Sequence, residues 1–163
     1  MFPPSLLERA AAFLDACRAR SLRVATAESC TGGLLSGLLT EIAGSSDVFE
    51  RGFVVYSNDA KRELLGVPGH LIARHGAVSE ACARALAEGA VEHSHAQIAV
   101  SVTGVAGPGG GTLEKPVGLV YFALAHRGHP TIAREKRFGP LPRGEIRLAS
   151  VDTALAMLEA AAF

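Results

Sequence analysis

Thr26-Ala27-Glu28-Ser29-Cys30-Thr31-Gly32-Gly33 joins two apolar segments of opposite periodicity. Upstream, Leu22-Arg23-Val24-Ala25 reads as a short strand; downstream, Leu34 to Ile42 carries apolar residues at helical spacing. A strand passing through glycines into a helix is the joint at which an open α/β sheet does chemistry, and this one holds three candidate nucleophiles: Ser29, Cys30 and Thr31. The glycines permit a sharp turn and close approach of a ligand. Free N–H groups in the helix's first turn would offer hydrogen bonds and partial positive charge to a phosphate or oxyanion above Ser29. The ordinary role of an isolated Ser or Thr before an apolar run is to cap the helix, so a catalytic reading needs support from elsewhere in the chain.

The remaining pattern fits the same fold class. Ser5 to Arg20 reads as an amphipathic helix. Phe49 to Ser57 contains a second strand, followed by a short helix from Asn58 to Leu65 that Gly66 and Pro68 stop. Pro68 to His75 is expected to form a helical turn, and Ser79 caps a strong helix ending near His93. Gln97 to Thr103 is a buried strand leading into the glycine-rich Gly104 to Gly111. Val117 to Ala125 and Thr131 to Phe138 are two more strands joined by a turn at Arg127 to Pro130, and Arg143 to about Ala161 is the closing helix. Strands alternating with helices imply a largely parallel sheet covered on both faces, with an antiparallel final hairpin. No repeat or inter-domain linker interrupts the pattern, so residues 1–163 are expected to form one domain.

Composition narrows the function classes. With 16 basic and 16 acidic side chains the formal charge is zero, and no basic stripe is visible, which disfavours nucleic-acid binding. The three cysteines are odd in number and form no Cys-x-x-Cys pair, which argues against a disulfide framework or structural zinc and fits a reducing cytoplasm. The N-terminus lacks the pattern of a signal peptide, and no apolar run reaches membrane-spanning length. The histidine pairs His93/His95 and His126/His129 lack a third ligand at sensible spacing, so no metal site is expected.

The second strand–helix joint, Tyr56-Ser57-Asn58-Asp59-Ala60-Lys61, supplies what a lone serine lacks. If Ser57 or Asn58 caps the helix, Lys61 sits in its first turn, where the macrodipole disfavours a cation and lowers the amine's pKa. Such a lysine can take a proton from a serine hydroxyl. Tyr56 could relay that proton or orient the amine. Cys30 is a rival nucleophile, but no histidine stands in any motif that would activate it.

At the third joint, Thr103 and Gly104 open the glycine-rich loop, where Gly107, Gly109 and Gly110 precede Lys115-Pro116-Val117-Gly118. A proline and a strand follow the glycines where a dinucleotide or P-loop site needs a helix, so both motifs are rejected. The loop instead suits a ribose phosphate or covers a small site. Arg143 and Arg147, four apart on the last helix, would point to one side and could grip a phosphate together.

These residues resemble the CinA C-terminal-domain family of nicotinamide-nucleotide amidohydrolases. The matching stretches are Thr26 to Gly33, Gly44-Ser-Ser46, Val55 to Asn58 with Lys61, Leu64 to Val67, His75 to Glu80, Thr103-Gly104, Ala106 to Gly110, Lys115 to Gly118, and Arg143 with Glu145 to Arg147. The resemblance implies a three-layer α/β/α sandwich with a mostly parallel or mixed sheet of about five strands. It further implies deamidation of nicotinamide mononucleotide to nicotinate mononucleotide and ammonia, no metal or organic cofactor, and homo-oligomers. On it Ser29 becomes the nucleophile, with Tyr56 and Lys61 as proton handlers. Cys30, Thr31, Gly32, Thr103 and Gly104 are then expected at the oxyanion or amide. Gly33, Gly107, Gly109, Gly110, Lys115, Arg143 and Arg147 are expected to bind the rest of the substrate. Two departures stand out: many relatives carry this domain behind a larger molybdopterin-binding-like domain, and Gly144 stands where relatives often have an acidic residue. The alternatives are a nucleotide- or partner-binding module without catalysis, and an amidase or esterase for another small amide.

Overall fold

Strands that are buried along their whole length decide the architecture, because they must be covered on both sides. In the computed structural model, which describes all residues from Met1 to Phe163, β1 (Val24–Glu28) is such a strand, and so is β3 (Ile98–Gly104) up to its half-buried last residue. They lie centrally in a five-stranded sheet of order β2-β1-β3-β4-β5, with β2 at Phe49–Val54, β4 at Leu119–His126 and β5 at Ile132–Arg137. β1 pairs in parallel with β2 and β3, whereas β4 runs antiparallel to both β3 and β5. The antiparallel part is thus one pairing wider than the final hairpin alone. The β3–β4 connection is the glycine-rich loop, and without a helical crossover the chain can only turn back.

The period-2 alternation of the strands separates two cores. Val24, Ile98, Val100, Val102, Val120, Phe122 and Leu124 face α1 (Pro4–Ala19), α2 (Leu34–Glu41) and α6 (Arg143–Ala162), where the larger cluster centres on Phe13, Leu14 and Leu155. On the opposite face the strands present Ala25, Ala27, Ala99, Ala123 and Ala125 to α3 (Asn58–Leu65), α4 (Gly69–His75) and α5 (Glu80–Glu92). Small residues let α5 lie close to the sheet: Ser101 donates its hydroxyl to the Ala83 carbonyl at 2.6 Å. A Cβ on Gly89 would stand 2.2 Å from the Leu65 carbonyl oxygen, so α3 and α5 also touch backbone to backbone.

This three-layer α/β/α arrangement positions the site. The chain leaves β1 through α2 on one face and leaves β2 through α3 to α5 on the other, before β3 returns on the far side of β1. Such a switch opens a crevice at the carboxyl ends of the parallel strands, where open α/β sheets bind ligands.

Candidate active site

Alternation along β1 sends neighbouring residues to opposite layers. Ser29 follows the strand on the α3/α5 side, and its amide donates to Val102 O at 2.9 Å. Lys61 reaches it from α3: Nζ donates to Ser29 Oγ at 3.2 Å and to Val55 O at 2.9 Å. Ser57 caps α3 by accepting from the Ala60 amide at 3.0 Å, which puts Lys61 at the fourth helical position. The lysine is 2% exposed. Both partners of the amine are uncharged oxygens, and burial holds its pKa below the usual lysine value. The neighbouring Cys30 thiol is pushed up to about 11 by burial, so it remains protonated and a poor nucleophile at neutral pH.

Tyr56 is not attached to that pair. Its side chain is 63% exposed, and the hydroxyl accepts from Arg143 at 3.1 Å. The residue stands at the rim of the site because Val55, its predecessor, is the one turned inward.

The turn itself carries fewer free amides than a bare helix N-terminus would. Glu28, fully buried on the α2 face, accepts from Gly33 N at 3.1 Å, Leu35 N at 3.0 Å and Ser36 N at 2.8 Å, and from the Ser36 hydroxyl at 2.6 Å. Gly32 N donates to Ser29 O at 3.1 Å and Leu34 N to Thr31 O at 3.2 Å. The amides of Cys30 and Thr31 remain without a protein acceptor. Gly32 (φ +58°) and Gly33 (φ +95°) make the left-handed bend that orients them. The expectation that the first-turn amides as a group face the ligand is therefore corrected. Gly32 and Gly33 shape the turn, and their N–H groups are engaged within the protein. Sequence reading missed Glu28, although its position beside Ser29 on an alternating strand was a signal that it points toward the helix.

Of the other expected contacts only Arg147 reaches the turn, and the charged ones serve as braces. Arg147 donates to Cys30 O at 3.1 Å and Thr31 O at 2.9 Å, and Arg143 to Gly107 O at 2.7 Å. The two arginines thus face the same side of α6, Arg147 bonded to carbonyl oxygens and Arg143 to a carbonyl oxygen and the Tyr56 hydroxyl, rather than left open as a pair. Lys115 Nζ donates to His75 O at 2.5 Å, tying the loop to the end of α4. Thr103 is buried and its hydroxyl donates to Ala77 O at 2.8 Å. Gly104 ends β3 where a Cβ would lie 2.8 Å from the Leu119 carbonyl oxygen, so its absence of a side chain serves the β3–β4 pairing. Gly109 and Gly110 are exposed on the loop. One buried polar atom near the turn has no partner, the Thr31 hydroxyl. No cluster of three or more His, Cys, Asp or Glu side chains converges on a point, and no helix is long and apolar enough to cross a membrane.

Fold and site together define a three-layer α/β/α domain that holds a serine against a buried amine at its switch point. The chain belongs to the CinA C-terminal domain family, whose model matches residues 7–162. It is 51% identical over 124 residues to the nicotinamide-nucleotide amidohydrolase PncC of Escherichia coli K12, covering 76% of this chain and 75% of that protein. It is also 51% identical over 139 residues to a CinA-like protein of Akkermansia muciniphila, covering 85% of this chain but 33% of the relative. The chain thus spans about a third of the length of the longer curated relatives it matches. Among solved structures, the competence/damage inducible protein CihA from Agrobacterium tumefaciens superposes with a TM-score of 0.96 at 52% identity, covering 98% of this chain and 97% of that one.

Proposed function

We propose that this chain hydrolyses the carboxamide of nicotinamide mononucleotide to nicotinate mononucleotide and ammonia, using Ser29 as nucleophile and Lys61 as base. The observation that carries the reading is the 3.2 Å contact between Ser29 Oγ and a buried lysine amine that has no anionic partner. The choice of substrate rests on the similarity to the E. coli amidohydrolase over three quarters of each chain.

In the proposed sequence, uncharged Lys61 takes the Ser29 proton while Oγ attacks the carboxamide carbon. The Cys30 and Thr31 amides, the two left unpaired in the turn, receive the developing oxyanion. One such donor is worth about a hundred- to a thousandfold in rate. Collapse of the tetrahedral species breaks the C–N bond, and Lys61 returns its proton to the departing ammonia. Water then attacks the ester with Lys61 again as base, freeing the nicotinate carboxylate and restoring the serine. Tyr56 at the rim offers a ring face to the pyridine ring. The ribose phosphate lies toward the glycine-rich loop, where capture by Arg143 exchanges its bond to Gly107 O for a charge-assisted one.

Ammonia release from nicotinamide mononucleotide, compared between the native chain and Ser29→Ala, tests the reading. Loss of release in the variant is expected. Undiminished release would remove Ser29 from its role, and tight nucleotide binding without turnover by the native chain would leave a binding module instead.

A further inference from the structure

Resting on that catalytic reading, we propose that Glu28 is a positioning residue of the Ser29 site. Its carboxylate fixes the turn that aims the nucleophile and reserves the Cys30 and Thr31 amides for the substrate.

The ordinary device for a helix N-terminus is a short polar side chain at the residue before it. Here that residue is Gly33, which has no side chain to offer. The cap comes instead from the last residue of β1, immediately before Ser29, and it binds three backbone amides and the Ser36 hydroxyl at 2.6–3.1 Å. Because the cap and the nucleophile are consecutive on an alternating strand, locking one side chain into α2 sets the direction of the other toward α3. The backbone at Ser29 cannot swing its side chain toward α2 without disturbing the adjoining carboxylate and its four bonds.

The surroundings hold this arrangement from every side. Ser36 Oγ also bonds Thr26 Oγ1 at 2.7 Å. The space over that pair exists because position 52 is glycine: a Cβ there would lie 2.4 Å from Ser36 Oγ. Glu28 O accepts from Val55 N at 2.8 Å, and Val55 O accepts from Lys61 Nζ at 2.9 Å. One residue is therefore joined to the helix by its carboxylate, to the nucleophile by the peptide bond, and to the lysine by way of the Val55 main chain. Removing the carboxylate would also release three amide donors beside the ligand position. A turn with five free amides has several ways to hold an oxygen, only one of them above Ser29 Oγ.

The test uses Glu28→Gln and Ser36→Ala, with kcat and KM for nicotinamide mononucleotide, the thermal midpoint, and a count of competent sites by stoichiometric labelling with a serine-phosphonylating reagent. Glutamine keeps one acceptor oxygen but turns an N–H₂ toward amides that also donate. Ser36→Ala removes one of the four donors and leaves the backbone cap in place. The expected result is a fall in kcat per labelled site of about ten- to a hundredfold for Glu28→Gln, the scale of a misplaced reacting group. A several-fold fall is expected for Ser36→Ala, with KM changed by less than about twofold in both. A lower thermal midpoint with kcat per labelled site unchanged would overturn the proposal and leave Glu28 as a helix cap. If Glu28→Gln does not fold, Ser36→Ala decides alone by the same criterion. Ser29→Ala run alongside separates the two ideas. Ammonia release that survives in Ser29→Ala removes the catalytic reading and the proposal with it. An inactive Ser29→Ala beside fully active Glu28→Gln and Ser36→Ala overturns only the positioning role.

Discussion

Replacing Lys61 with methionine tests the amine both as base and as buried cation. The side chain is 2% exposed and its nitrogen meets two neutral oxygens, at 2.9 and 3.2 Å. Burial therefore lowers its pKa from the ordinary value of about 10.4. In the window between the lowered folded pKa and about 10.4, the unfolded chain binds more protons than the folded one, so folding stability rises with pH. One proton contributes a slope of at most about 1.4 kcal/mol per pH unit, and above about 10.4 the contribution is constant. Methionine has similar length and no charge, so Lys61→Met should lack this slope. The variant leaves Val55 O without its donor at a cost of about 1–3 kcal/mol, but that cost does not depend on pH. Urea unfolding of both proteins at several pH values from about 7 to 10 reads the difference, in which the other titrating groups cancel. The native chain should gain on the variant as pH rises. Its kcat/KM should rise through the same titration, and the variant should lose about a hundred- to ten-thousandfold in rate. Stability curves that stay parallel across this range would refute the lowered pKa, and native-like turnover in Lys61→Met would refute the base.

Three further outcomes follow from packing and bracing. Arg147→Met removes two hydrogen bonds from the Cys30 and Thr31 carbonyls and should lower kcat by about ten- to a hundredfold through movement of the turn, measured by steady-state ammonia release. Gly89→Ala forces a Cβ to 2.2 Å from the Leu65 carbonyl; because backbone cannot swing aside, a loss of about 3 kcal/mol is expected in urea unfolding. Phe13→Ala empties a fully buried position in the larger core and should cost about 3–5 kcal/mol in the same assay, with KM of the folded enzyme unchanged.

The regular elements were legible because they announce themselves locally. The helix from Asn58 to Leu65 has its capping Ser57 before it and Gly66, at φ +66°, after it, and both perform those tasks. The first strand was expected at Leu22 to Ala25 but runs from Val24 to Glu28. Its polar end reads as a loop in isolation; Thr26 and Glu28 are tolerated inside because Ser36 and the α2 amides satisfy them. Leu22 is instead held by the end of α1, through its amide to Cys17 O. The approach of Lys61 toward the Ser29 turn could be anticipated from its place behind a capped joint. The braces made by Arg143, Arg147 and Lys115 could not, since their acceptors are main-chain carbonyls, and any residue supplies one. Tyr56 was expected beside the amine from its place at the end of its strand and from the family resemblance, but the inward place in that segment belongs to Val55.

The alanine-lined side of the sheet has a consequence for how variation in this chain would be read. Helix α5 presses on Ala99 and Ala123, and helix α3, with the amine, leans in turn on α5 at Gly89. An extra methyl group anywhere along that contact would travel as a displacement to Lys61 and open its gap to the hydroxyl. A survey scoring only turnover would then mark several featureless small residues as indispensable, though none meets the substrate. The valine- and leucine-rich side, one layer removed from the amine, would register the same enlargements chiefly as lost yield of folded protein.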